Sequence, residues 1–164
     1  MKILVVSDTH GAVELLHGIV SKHRMDTDLV IHLGDNLKDI GEVMRDFPTV
    51  AKLGVLGNCD FASMYLNPSA EGTFTAEGRR IFYTHGHKYN VDHGVEYLAS
   101  TAKFNGCNIA LYGHTHKSVV TEFLNVTVIN PGSLSRPRDN SNGSYALLTI
   151  DGEDFKCEII EVEK

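Results

Sequence analysis

The sequence predicts an α/β fold whose first half reads β-α-β-α-β and whose second half is rich in strands. Three observations carry this expectation. Short β-prone apolar runs alternate with amphipathic segments through residue 60, the pattern of parallel strands joined by crossover helices. Beyond residue 106, apolar runs are separated by turn chemistry such as Asn140-Ser141-Asn142-Gly143 and Asp151-Gly152. Apolar runs in both halves also end repeatedly in Asp, Asn or His. Two packed sheets flanked by helices accommodate all three, in a single domain spanning residues 1–164.

The first strand is the apolar run 3–6, which stops at Ser7-Asp8-Thr9-His10-Gly11. Residues 12–23 form an amphipathic helix, with Leu15, Leu16, Ile19, Val20 and His23 near one face. A second strand, 29–33, runs into Gly34-Asp35. Leu37, Ile40, Val43, Met44 and Phe47 then recur at helical spacing, predicting a helix over 37–47 stopped by Pro48. The third strand, 50–56, ends in Gly57-Asn58. Residues 61–70 are loop-like, with a turn at Asn67-Pro68-Ser69, and 73–76 with 80–83 form a hairpin around Glu77-Gly78. A helix over 92–105 and strands over 109–112, 119–123, 126–129, 145–150 and 156–162 complete the chain.

Bulk properties narrow the function. At 164 residues and 42% hydrophobic content, the chain buries roughly 70% of its unfolded surface. No signal-peptide core and no transmembrane span is present, and three cysteines without a CxxC spacing fit a reducing cytoplasm. The net charge of −6, without a basic stripe, disfavours stable nucleic-acid or membrane binding.

The polar strand ends supply Asp8, His10, Asp35, Asn58, His85, His114 and His116, all oxygen or nitrogen donors. A tetrahedral zinc ion takes four ligands, whereas two ions sharing one ligand need about this number. Asp35 is the natural bridge, because a carboxylate can span ions about 3.5–4 Å apart. Two divalent ions less two carboxylates leave about +2 at the site, a local anion trap in an acidic protein. Donors without thiolate suit Mn²⁺, the expected ion, with Fe, Zn²⁺ and Ni²⁺ as alternatives. His114 and His116 alternate in sequence, so a continuing strand would put both imidazoles on one side.

Asp8-x-His10, Gly34-Asp35, Gly57-Asn58-x-Asp60, His85 and Gly113-His114-x-His116 together resemble the calcineurin-like metallophosphoesterase superfamily. Gly57-Asn58-Cys59-Asp60, Thr84-His85-Gly86-His87 and Asn130-Pro131-Gly132-Ser133 resemble its small bacterial and archaeal phosphodiesterase branch. The resemblance implies a four-layer α/β/β/α sandwich, a dinuclear site, and hydrolysis of a small phosphodiester by a metal-bridging hydroxide. It gives one ion Asp8, His10, Asp35 and His116, and the other Asp35, Asn58, His85 and His114. Asp35, Asn58 and His114 are the residues assigned to catalysis. Many members carry His where this chain has Cys59, which leaves protonation of the leaving group open.

Cys59, His87 and Arg136 are candidate substrate contacts, with a surface position the alternative for His87. Arg138 reads as a surface-loop residue, with pairing to a substrate phosphate the alternative, His32 as a buried structural histidine, and His17, His23 and His93 as solvated helix residues. Asn130-Pro131-Gly132-Ser133 either closes the rim of the site or is simply a turn. Specificity falls to the loops 61–70 and 135–143, and the hairpin offers an edge for a homodimer. The expected protein is a cytoplasmic two-metal phosphodiesterase. The alternatives are a phosphomonoesterase or a non-catalytic scaffold like the retromer subunit that shares the superfamily's fold. A structural zinc protein fails on ligand number.

Overall fold

The computed structural model describes residues 1–61, 69–152 and 154–163. In chain order the elements are β1 (Lys2–Val6), α1 (Val13–His23), β2 (Leu29–His32), α2 (Lys38–Val43), β3 (Ala51–Gly54), β4 (Glu71–Ala76) and β5 (Arg79–Thr84). They continue with a 3₁₀ turn at His87–Tyr89, α3 (Glu96–Phe104), β6 (Ile109–Leu111), β7 (Ser118–Phe123), β8 (Val126–Pro131), β9 (Ser144–Asp151) and β10 (Asp154–Glu161).

Two five-stranded mixed sheets result, ordered β10-β9-β1-β2-β3 and β4-β5-β6-β8-β7. The centre of each is parallel: β1, β2 and β3 in the first, β5, β6 and β8 in the second. Strand alternation builds three cores. Ile3 and Val5 of β1 face the opposite sheet and pack with Ile81, Ile109, Leu111 and Ile129. Leu4 and Val6 face outward onto Leu16, Ile19 and Val20 of α1 and Ile40 and Val43 of α2. Leu98, Ala99 and Ala102 of α3 cover Phe82 and Ala110 on the far face of the second sheet. The layers are therefore helix, sheet, sheet, helix, as expected. Both faces of β1 and β2 are buried, which is why they read as unbroken apolar runs.

Strand bounds shift by a residue or two throughout, and α2, α3 and β3 differ most from the sequence expectation. The second helix ends at Val43, not residue 47. Met44 and Phe47 are still buried, but from turns, so their spacing reported burial rather than helix. The third helix begins at Glu96 instead of residue 92, because Gly94 takes φ 151°, outside helical geometry. β3 is shorter than expected and half-solvated, as an edge strand can be. The hairpin forms as read, with Glu77 and Gly78 both at positive φ, the geometry of a type I′ turn. The turn expected at Asn67-Pro68-Ser69 and most of the 61–70 loop lie outside the described residues. No helix among the described residues is long and apolar enough to cross a membrane.

Candidate metal centre

All seven donors lie at carboxyl ends of the parallel strands. Asp8 and His10 follow β1, Asp35 follows β2, Asn58 follows β3, His85 follows β5, and His114 and His116 follow β6. The two sheets thus discharge into one crevice, the usual ligand position in α/β sheets. The resulting cleft, about 440 Å³, is lined by His10, Asp35, Asn58, Cys59, His114, His116 and Arg136, with Pro137 and Arg138 on its rim.

The ligand loops are held in costly backbone conformations. Asp8 (φ 53°), His10 (45°), Asp35 (60°), His114 (69°) and His116 (59°) are all left-handed. Each such non-glycine residue costs on the order of 1–2 kcal/mol and persists only where its surroundings over-determine it. The bracing is visible. Asp60 accepts hydrogen bonds from the backbone N–H groups of Asp35 (2.9 Å), Leu37 (2.8 Å) and Gly57 (2.8 Å), pinning two ligand loops together. Buried Asp39 accepts from Thr9 Oγ1 (2.7 Å) and Gly11 N (2.8 Å). Ser133 Oγ donates to the Asp8 carbonyl at 2.8 Å, and Asn130 Nδ2 donates to the Gly113 carbonyl at 2.8 Å. The 130–133 segment is therefore buried bracing behind the ligand loops rather than a rim.

Asp8, His10, Asp35 and His116 bring one donor atom each within 4.8 Å of one another. The chemistry of this set fits a cation. His116 Nδ1 donates to the Arg136 carbonyl (2.7 Å) and His85 Nδ1 to the Leu33 carbonyl (2.7 Å). A carbonyl only accepts, so Nδ1 carries the proton and, in the neutral ring, the Nε2 lone pair points inward. His10 Nε2 and His116 Nε2 face each other at 3.3 Å, and fully buried Asp8 Oδ1 makes no hydrogen bond among the described residues. Burial pushes the Asp8 carboxyl up, but its contact with His116 and the charge of His85 outweigh this and hold it below the usual range. Asp8 in turn raises His116, while burial lowers His10.

Asp35 faces both halves of the cleft. Its Oδ2 is 3.7 Å from His10 Nε2, and its Oδ1 is 3.4 Å from His85 Nε2 and accepts from Cys59 N at 2.9 Å. His85 Nε2 also lies 3.0 Å from Asn58 Oδ1. The His114 ring packs edge-on to His85 with centroids 5.1 Å apart, and its Nε2 is 3.0 Å from Asp92 Oδ2, which leaves Nδ1 as its uncommitted nitrogen among the described residues.

The structure corrects several sequence expectations. β6 ends at Leu111, so His114 and His116 reach the cleft from a left-handed loop and not from alternate strand positions. Arg138 is exposed on its loop, as expected, and also lines the cleft. His23 is half-buried against Tyr145, its Nε2 3.0 Å from the tyrosine oxygen, because the helix turns that edge onto β9. His32 is buried as expected, 3.0 Å from Thr9 Oγ1. His87 lies beside two of the candidate donors, 5.4 Å from the His85 ring and 6.2 Å from that of His114, with its Nδ1 buried and unpartnered among the described residues. Arg136 lines the cleft, and its carbonyl orients His116. Asp60 belongs to the Gly57-Asn58-x-Asp60 motif, which alone does not show its bracing role, and Asp39 carries no signal in the sequence.

A profile described as the calcineurin-like phosphoesterase superfamily domain matches residues 1–153. The probable metallophosphoesterase YsnB of Bacillus subtilis strain 168 is 33% identical, over 93% of this chain and 86% of its own. The phosphodiesterase YfcE of Escherichia coli K12 is 28% identical, over 92% of this chain and 89% of its own. A solved structure from Streptococcus pneumoniae TIGR4, described as a predicted phosphoesterase, matches with a TM-score of 0.82 at 27% identity, over 98% of this chain and 88% of that one. Zinc-complexed Vps29 from Entamoeba histolytica matches in fold, with a TM-score of 0.76 at 20% identity, over 98% of this chain and 99% of that one.

Proposed function

The chain belongs to the calcineurin-like phosphoesterase superfamily, and from that premise we propose that it is a two-metal phosphodiesterase. The observation that carries this reading is the placement of Asp35, with one carboxylate oxygen toward His10 and the other toward His85. That is the disposition of a bridging ligand between two half-sites. Asp8, His10, Asp35 and His116 would hold one divalent ion, and Asp35, Asn58, His85 and His114 the other. With no thiolate in the set, Mn²⁺ is the ion proposed. When bound, the ions supply Lewis acidity at phosphorus and lower the pKa of a water.

The chain's own residues do the rest. Asp60 and Asp39 hold the strained ligand loops, so little reorganisation accompanies binding. The carbonyls of Leu33 and Arg136 fix the inward tautomers of His85 and His116. Arg136, on the cleft wall, supplies a guanidinium for a phosphoryl oxygen. The diester assignment draws on the similarity to YfcE, and a phosphomonoesterase is the reading it must beat.

The test is hydrolysis of bis(4-nitrophenyl) phosphate and 4-nitrophenyl phosphate by metal-stripped protein reconstituted in turn with Mn²⁺, Fe²⁺, Zn²⁺ and Ni²⁺. Diester turnover that requires metal and exceeds monoester turnover is expected. A monoester preference makes the protein a phosphomonoesterase. Two bound ions with no turnover of either ester would point to a scaffold.

A further inference from the structure

Beside the metal cleft lies a second cleft of about 420 Å³. Tyr112 lies in its apolar lining, and Asp92, Thr115, Lys117, Ser118 and Arg138 supply its polar groups. Arg138 lines both clefts, so the two are continuous at that side chain. They also meet at the contact between His114, on the metal side, and Asp92, on the other.

The charges here run against the chain's net −6. Among the described residues, the exposed side chains of Lys117, Arg136 and Arg138 form no ion pair. Asp92, the carboxylate lining the second cleft, is committed to His114 Nε2 at 3.0 Å. Asp139, on the Arg138 loop, accepts from Ser118 N, Ser118 Oγ and Ser141 Oγ and leaves the arginine free. Thr115 Oγ1 accepts from Asn130 Nδ2 at 3.0 Å, which leaves its proton to donate. Two unpaired cations and a hydroxyl donor around a concavity favour an anion. A scissile phosphate in the metal cleft uses none of Lys117, Thr115 or Ser118.

We propose that the second cleft seats one ester arm of the substrate, and that this arm carries its own anionic group, a phosphate or a carboxylate. The substrate class narrows accordingly, from diesters in general to diesters of an alcohol that bears a second acid. This rests on the phosphodiesterase reading, so the deciding experiment reads binding and not turnover.

Zinc-loaded protein is titrated calorimetrically with alkylphosphonates of graded chain length that end in methyl, carboxylate or a second phosphonate. The phosphonate head occupies the metal cleft in all three. At the best length, an anionic terminus should tighten binding roughly tenfold, the order given by two partly exposed charge pairs. A preference for the phosphonate terminus assigns the arm a phosphate, and a preference for the carboxylate terminus assigns it a carboxylate. Lys117→Ala should erase the preference while leaving the Kd of the methyl-terminated compound and the turnover of bis(4-nitrophenyl) phosphate unchanged. Arg138→Ala should also erase it. Equal affinity for the three termini, no binding, or a preference that survives both substitutions overturns the proposal. Diester turnover persisting in that case would leave the phosphodiesterase reading standing without the subsite.

Discussion

His116 Nε2 lies 3.1 Å from Asp8 Oδ1, while the proton on the same ring is committed to the Arg136 carbonyl through Nδ1. In the neutral ring this sets a lone pair against a carboxylate oxygen, which a divalent cation between them would turn from repulsion into coordination. The matching pair on the far side is His85 Nε2 with Asn58 Oδ1, and Asp35 stands between the two. Reconstituted protein should therefore hold close to two Mn²⁺ per chain and melt at a higher temperature than stripped protein. His116→Ala should retain about one. Elemental analysis giving one ion in the unsubstituted chain, with His85 and His114 unengaged, would remove the dinuclear assignment.

Gly57 is required for space. A Cβ there would lie 2.1 Å from Asp35 Oδ1 and 2.4 Å from Asp35 N. Gly57→Ala must push the proposed bridge aside, yet both flanking strands stay paired through their own registers. The expected result is native circular dichroism with metal affinity reduced by roughly 10–100-fold, the usual cost of disturbing the groups that orient a ligand. Unchanged affinity would show that Asp35 is not positioned by this contact.

Asp35→Asn should damage turnover more than Asn58→Ala. The first removes a negative charge that faces both half-sites, whereas Asn58 is neutral, exposed and turns its Oδ1 to the His85 side. Losses of about 10³-fold or more in kcat for Asp35→Asn, against roughly 10–100-fold for Asn58→Ala, are expected. Steady-state kinetics of the two variants decide it, and a milder Asp35 phenotype contradicts the bridge.

His32 sets an acid limit on stability. Full burial pushes its pKa down to about 4 from an ordinary 6.5, so the unfolded chain takes up a proton in this window that the folded chain refuses. The stabilisation is complete above about 6.5 and is lost as pH falls toward about 4. It amounts to on the order of 3 kcal/mol. Urea midpoints of metal-free protein should fall across this window, and His32→Gln should flatten the slope. Parallel curves for the two proteins would mean that another group governs acid unfolding.

The sequence made much of this architecture legible because the physics behind it is local. β1 and β2 are buried on both faces, so their apolar runs could be little else, and each ends where a polar loop must begin. The seven donors were legible jointly, as polar strand ends of one kind. Less local features were hidden. Met44 and Phe47 keep a helical spacing while packing from turns, since periodicity records which side chains are buried and not the backbone that delivers them. The left-handed backbone at His114 and His116 is braced by Asn130 and Asp8, distant in sequence, so spacing alone suggested a strand. Arg138 reads as a surface-loop residue or a phosphate partner, and its place where two clefts meet is a property of the folded surface that the sequence does not carry.

Cys59 is exposed and lines the metal cleft, at the position where many members of the superfamily carry His. Its backbone N–H holds Asp35 Oδ1 at 2.9 Å. Partial burial, then the neighbouring Asp35 carboxylate, push its thiol up to about 11, so it stays protonated at neutral pH but remains a weak donor. His87 is the nearby alternative, yet burial and the adjacent His85 and His114 lower its pKa and keep it largely neutral there. A positioned imidazolium contributes typically about 10²–10⁴-fold through general acid catalysis. Without one, the rate should depend steeply on how well the leaving alkoxide carries its own charge. A plot of log kcat/KM against leaving-group pKa should therefore fall steeply for the native protein, and aryl diesters should far outrun alkyl diesters of equal fit. Cys59→His should give a shallower line, because the substitution keeps the backbone N–H that holds Asp35 and adds a donor in the cleft. A flat native line, with chemistry shown to limit the rate, would mean that an acid is already in place, and His87→Asn would then be the variant to steepen it.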